Sequence, residues 1–232
     1  TWAVGHDFDL AVQEQWSGRF GGRIFSPNRL WVNGDQEFVP YDYKKYDCKD
    51  HFRTNIAFDW LDQRDVKKPF FLFMSYRAPH SFEGPLRDTL DYKEKDWPEI
   101  EKAHAAKITL LDKQIGRLIN KLKEIDELDN TLILFTSDNG PHFADGGHEL
   151  EFFNSNGKLR GGKRDLYEGG VRVPLIAYWK NKIRPKGKSY HISGFQDIMA
   201  TFAEIIEYKV GENIDGISFL PTLLNEDQQK HE

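Results

Sequence analysis

Cysteine is nearly absent: Cys48 stands alone, so no disulfide can close within the chain, and Cys48 lacks metal-ligand spacing. Long apolar runs are missing too. No stretch reaches the roughly 18 apolar residues of a membrane-spanning helix, and the opening residues carry no secretory leader pattern. Positive charge is not in excess, since 32 Lys and Arg face 37 Asp and Glu for a formal net charge of -5. A generic nucleic-acid binder is therefore disfavoured, although a local basic patch remains compatible with this balance. The Gly-x-x-x-x-Gly-Lys-Ser/Thr and Gly-x-Gly-x-x-Gly patterns that cradle phosphates are absent, as is the Gly-x-Ser-x-Gly elbow of serine hydrolases.

What is present suffices for a globular core: 232 residues, 39% hydrophobic and 14% aromatic, enough for one large domain or two small ones. Turn formers dominate the first fifty residues, where the Asn33-Gly34 pair inside VNGDQEF suggests a small hairpin. Residues 55–64 (NIAFDWLDQR) place Ile56, Trp60 and Leu61 near one stripe and read as a helix. Residues 70–76 (FFLFMSY) form an almost continuous apolar run, the pattern of a strand covered on both faces. From about Glu99 to Glu127, apolar residues at Ile100, Ala103, Ile108, Leu111, Ile115, Leu118, Leu122 and Ile125 describe an amphipathic helix. Residues 131–136 (TLILFT) and 173–179 (VPLIAYW) read as further strands, the latter with Pro174 marking an edge or a strand start. Residues 195–208 supply another helix. This alternation predicts an α/β fold.

Between Thr136 and Val173 no strand or helix pattern appears, and glycine recurs from Gly140 to Gly170. Structureless connections of that length are uncommon unless they serve a function or are disordered. Ligands of open α/β sheets bind beyond the C-terminal ends of strands, which places the expected active region at Asp138. Asp138 and Asn139 close the TLILFT strand, and a carboxylate with an amide oxygen suits a hard divalent cation. The same pair also reads as an ordinary turn in which the side chains bond their own backbone. His80 follows the FFLFMSY run through Arg77-Ala78-Pro79, where a histidine can donate to an anion or exchange a proton, or simply lie at the surface. Lys163 and Arg164 follow Gly161-Gly162, where glycines could bring cations onto a phosphate or sulfate, or form a solvated basic turn.

The stretch Thr136-Ser137-Asp138-Asn139-Gly140-Pro141-His142, then Gly146-Gly147-His148, then the run from Phe152 through Gly161-Gly162-Lys163-Arg164 to Glu168-Gly169-Gly170-Val171-Arg172-Val173-Pro174, closely resembles the arylsulfatase-type sulfatases of the alkaline-phosphatase-like superfamily. Residues 27–34 and 215–221 look like further pieces of it. The resemblance implies an alkaline-phosphatase-like α/β fold, a mixed sheet sandwiched by helices. It implies a sulfuric ester hydrolase in which a formylglycine, made from Cys or Ser in a Cys/Ser-x-Pro-x-Arg motif, attacks sulfur with calcium and basic side chains stabilising the sulfate oxygens. By that resemblance Asp138 and Asn139 are two of the Ca2+ ligands, Lys163 binds the sulfate or helps the leaving oxygen, and His80 contacts the sulfate beside it. A sulfated small molecule or sulfated glycan is the implied partner, and a periplasmic, secreted or lysosomal location follows from the family alone.

Several departures accompany the likeness. No Cys/Ser-x-Pro-x-Arg motif occurs: Cys48 is followed by Lys49-Asp50, and Ser26-Pro27-Asn28-Arg29 has the wrong spacing. The adjacent Asp-Asp pair and the Gly-Lys-Trp-His region of the family have no match, and after Ala78-Pro79-His80 the next proline, Pro85, comes later than is usual. The 232 residues therefore read as one partial sulfatase catalytic domain, incomplete at both ends and, taken alone, expected to be inactive, with apolar surface left exposed. Two other readings stand beside it: a phosphoesterase of the same superfamily, and a non-catalytic binder of sulfated glycans. A fragment without independent function is the blandest.

Overall fold

The computed structural model describes residues 12–14, 29–32, 35–38, 48–80, 89–142, 149–185, 187–211 and 213–228. Gly146, Gly147, His148 and Pro85 lie outside the described residues. Residues 1–121 with 140–171 belong to one compact unit, and residues 122–139 with 172–232 to a second.

In the first unit, β1 (Val12–Glu14), β2 (Arg29–Val32) and β3 (Asp35–Phe38) form an antiparallel sheet in that order. Val32 pairs with Asp35, so β2 and β3 form a hairpin where the sequence anticipates one, and Asn33-Gly34 themselves lie outside the described residues. Helix α1 runs over Lys49–Gln63 and so begins before the periodic stretch at Asn55. Its early turns bury Asp50 and Thr54 beside Phe52, and Ala57 and Leu61 continue the stripe. An apolar count cannot see that start, because two of the inward positions are polar. The Thr54 hydroxyl donates back to the Asp50 carbonyl at 2.7 Å.

The FFLFMSY segment departs from expectation. Residues 70–76 pair with no strand among the described residues, and their exposure alternates. Phe71 and Phe73 are exposed, whereas Phe70, Leu72 and Met74 are half-buried. The half-buried side faces α1: the Phe70 ring meets Trp60 edge-on at 6.2 Å, and the Tyr76 hydroxyl lies 3.0 Å from the Thr54 hydroxyl. A continuous apolar run is thus covered on one side only, which composition cannot distinguish from a run covered on both.

Helix α2 spans Glu99–Glu124. The apolar positions expected to face inward are only partly inside: Leu122 is buried, but Ile100 and Ile108 are exposed. The buried line runs instead through Glu101, Ala105, Ala106, Leu110 and Gln114. Each of the two polar groups accepts a hydrogen bond there. The Glu101 carboxylate accepts the Glu149 N–H at 2.9 Å, and Gln114 accepts from Arg117 at 2.7 Å. Arg117 also donates to Asn55 at 2.7 Å and lies over the Phe58 ring, fastening α2 to α1. Trp97, ahead of α2, stacks on Tyr92 and takes the edges of Phe152 and Phe153, which seats the segment after Glu149 on the start of the helix. A single-turn helix, α3 (Glu168–Val171), ends this unit.

In the second unit, β4 (Ile133–Thr136) pairs antiparallel with β5 (Leu175–Tyr178), from Ile133 opposite Tyr178 to Thr136 opposite Leu175. β5 starts directly after Pro174, where the missing N–H does not interrupt the ladder. Ile176 remains 60% exposed, so this ribbon has uncovered apolar surface. Helix α4 follows at Gln196–Ile205. Its buried Asp197 accepts the N–H groups of Gly194 and Ile217, both at 2.8 Å, and Thr201 accepts that of Phe219 at 3.0 Å. Residues 215–219 are thereby clipped onto the helix. Among the described residues no helix is long and apolar enough to cross a membrane.

Two outcomes follow. Burial raises the Tyr76 phenol above its ordinary 10.0, outweighing the opposing hydrogen bond from Thr54, and the Asp50 charge adds to the rise. The neutral phenol's contribution is complete below pH 10 and is lost as pH rises through the folded value. In urea titrations at pH 8 to 11, the difference in stability between wild type and Tyr76→Phe should shrink across the top of that range; a constant difference would contradict the burial argument. Gly116 sits inside α2 with nothing within 4 Å of the position an added Cβ would take, so Gly116→Ala should raise the unfolding free energy by about 0.5–1 kcal/mol.

Candidate functional site

The long connection after β4 is built on backbone approach. Beyond Asp138 and Asn139, the Gly140 N–H donates to the Gly170 carbonyl at 2.9 Å. A Cβ on Gly140 would lie 1.9 Å from the Gly169 carbonyl oxygen, and one on Gly169 would lie 2.0 Å from that of Gly161. No side chain fits at either position, so the glycines that sequence reading associates with anion approach pack here against one another. Helix α3 carries Gly169 and Gly170 into this contact. The Asp165 carboxylate closes the intervening loop by accepting the Gly162 N–H at 3.0 Å. Asn156 closes it from the other side, donating to the carbonyls of Leu159 and Gly161.

That framework sets the position of Lys163. Its N–H donates to the Pro141 carbonyl at 2.7 Å, so the cationic turn is tied to the segment that begins just after Asn139. Lys163 is half-buried, while Arg164 is exposed with a positive φ of 81°. The Arg160 guanidinium is directed elsewhere, lying 3.8 Å from the centroid of the Tyr167 ring.

His80 is in the same compact unit as Lys163, at the end of a turn closed by its own N–H donating to the Arg77 carbonyl at 2.9 Å. It is half-buried. Two polar groups that sequence reading passes over hold this turn. Asp50, on α1, accepts the N–H groups of Arg77 and Ala78. Lys107, on α2, donates to the His80 carbonyl at 3.3 Å. The available signal is a polar residue in the inward register of each helix, and apolar periodicity discards that signal.

Asp138 and Asn139 lie in the second unit, at the end of β4. Asp138 is exposed and Asn139 half-buried, and the Ser137 hydroxyl donates to the Asn139 carbonyl at 2.9 Å. Their donor chemistry, a carboxylate and an amide oxygen, fits a hard cation. Such a cation takes about six to eight oxygens. Among the described residues no group of three or more His, Cys, Asp and Glu is placed to hold a metal ion.

The Gly140 contact yields a direct expectation. Gly140→Ala forces a methyl against backbone that has no room to yield and should cost about 1–3 kcal/mol in urea unfolding. An unchanged midpoint would mean that this approach is not close in solution.

Comparison with known proteins places these features in context. A family model described as Sulfatase matches residues 20–208. The chain is 36% identical over 247 aligned residues to an N-acetylgalactosamine-6-O-sulfatase of Bacteroides thetaiotaomicron, an alignment covering 100% of this chain and 45% of that protein. It is 30% identical over 216 residues to an arylsulfatase of Clostridium perfringens, covering 77% of this chain and 42% of the relative. Among solved structures, Ps i-CgsB in complex with k-i-k-neocarrahexaose superposes with a TM-score of 0.72 at 28% identity, over 86% of this chain and 42% of that one. The chain therefore spans under half the length of these relatives.

Proposed function

The chain belongs to the sulfatase family and has the alkaline-phosphatase-like α/β fold of its structural neighbours, and from that premise we propose that it contributes the sulfate-holding part of a sulfuric ester hydrolase acting on sulfated glycans. The supporting observation is the bond from the Lys163 N–H to the Pro141 carbonyl, which fixes a cationic turn to the segment running on from Asp138-Asn139. In this reading Lys163 faces a sulfate oxygen and offsets charge that grows as the ester bond breaks. His80 donates to the sulfate from its pinned turn. Asp138 and Asn139, by the resemblance of their motif, would supply two oxygen ligands of Ca2+.

The 232 residues are one partial catalytic domain in this reading, and no formylglycine motif occurs within them. Binding without turnover is accordingly the expected behaviour of the isolated chain. The glycan preference comes from the named activity of the Bacteroides relative and from the oligosaccharide held by Ps i-CgsB.

Calorimetry on the chain tests this reading. N-acetylgalactosamine 6-sulfate in the presence of calcium should bind, with Lys163→Ala weakening it about tenfold or more, as expected for loss of a charged hydrogen bond. Asp138→Ala should lower the affinity for calcium alone. Tighter binding of the corresponding 6-phosphate would favour the phosphoesterase alternative, and affinities indifferent to both substitutions would overturn the site.

A further inference from the structure

We infer that Asp50 is a positioning residue for the proposed sulfate site, acting through the turn that carries His80; the inference rests on the sulfate-contacting role proposed for His80. Asp50 is fully buried, at 0% exposure, on the first turn of α1. Its carboxylate accepts the Arg77 N–H at 3.0 and 3.2 Å and the Ala78 N–H at 2.9 Å, across 27 and 28 residues of sequence. The Arg53 guanidinium pairs with the same carboxylate from one turn further along the helix. Two residues after Ala78 comes His80, whose N–H closes back on Arg77 and whose carbonyl accepts from Lys107. The turn is therefore gripped at its start by an anion from α1 and at its end by a cation from α2.

A buried carboxylate is an expensive way to stabilise a fold, because its desolvation exceeds what most pairings return. Its distinctive property is directional: two peptide N–H groups aimed at one carboxylate define the orientation of the following residues more tightly than apolar packing does. Residues 70–76 join no sheet ladder among the described residues, and Asp50 supplies a hydrogen-bonded anchor at the end of that segment. Arg53 and Lys107 balance the charge around the turn, and the backbone of His80 is held between the two helices.

The test combines a double-mutant cycle with a spectroscopic reading on the same chain. Wild type, Asp50→Asn, His80→Ala and the double variant are titrated with N-acetylgalactosamine 6-sulfate and with inorganic sulfate, in calcium-containing buffer. The 1H–15N resonances of the His80 ring are followed in the two proteins that retain it. Asp50→Asn keeps the shape and one acceptor while removing the charge. It should weaken sulfate binding about tenfold in the wild-type background and less than twofold when His80 is absent, since contacting groups that act through one another are non-additive. It should also diminish the sulfate-induced shift of the His80 ring and speed hydrogen exchange at Arg77 and Ala78. If Asp50→Asn does not fold, Lys107→Met, which releases the other end of the turn, should show the same coupling to His80.

Equal losses in both backgrounds would overturn the positioning role and leave Asp50 purely structural, with the sulfate reading intact. A wild-type His80 ring that ignores both ligands would overturn the role assigned to His80 and this inference with it.

Discussion

The contact between Gly140 and the Gly169–Gly170 backbone is the constraint on which the site region rests. A peptide N–H meeting a carbonyl at 2.9 Å is an ordinary bond, but here it brings together two segments thirty residues apart in a connection that shows no sheet pairing among its described residues. Only glycine permits that approach, because a methyl on Gly140 would overlap the carbonyl of Gly169. Once the two segments are joined, the Lys163 N–H reaches Pro141 and the orientation of the basic turn follows. The position of the Lys163 backbone is thus set by backbone packing.

A second device recurs in the molecule: a buried carboxylate on a helix gathers peptide N–H groups from a remote loop. Asp50 on α1 takes Arg77 and Ala78, Glu101 on α2 takes Glu149, and Asp197 on α4 takes Gly194 and Ile217. All three are fully buried. Hydrogen bonds to a charged acceptor are roughly twice as strong as neutral ones, which offsets only part of the cost of burying a carboxylate and leaves direction as its main return. With short strands and long connections, the described part of the protein fixes its loops from helices, and it does so at discrete points instead of along ladders. Discrete points suit a functional loop, since they hold one turn firmly and leave its neighbours free to differ.

Much of this is legible in the residues, and the limits have physical causes. The Asn33-Gly34 hairpin, the strands after Thr131 and Pro174 and the cores of α1, α2 and α4 emerge where one rule dominates locally. Apolar periodicity makes α1 too short because Asp50 and Thr54 occupy inward positions, and it misplaces the inward line of α2 because Glu101 and Gln114 lie on it while Ile100 and Ile108 are exposed. Residues 70–76 look covered on two faces because an apolar run records the capacity for burial and not the presence of a covering partner. The glycines between Gly140 and Gly170 stand out in the sequence, but their purpose is visible only in their mutual contacts. Sulfatase membership is legible for a different reason: the motif from Thr136 to Pro174 is long and specific, and within it Gly140, Gly161 and Gly169 sit where backbone meets backbone.

The charge balance explains why this placement matters for an anionic ligand. With a formal net charge of -5, the chain as a whole offers a sulfate ester no long-range attraction. At physiological ionic strength that unfavourable field is screened beyond about 8 Å, so recognition has to come from groups in direct reach. A flexible lysine on an exposed loop gives little at that range, because the entropy of holding it in place cancels most of the Coulomb gain. Lys163 avoids part of this loss by being half-buried on a backbone already fixed at Pro141, and the His80 turn avoids it by being clamped from two helices. In the proposed site, pre-organisation of the scaffold, more than the number of cations, is what would let an acidic chain hold a sulfate ester.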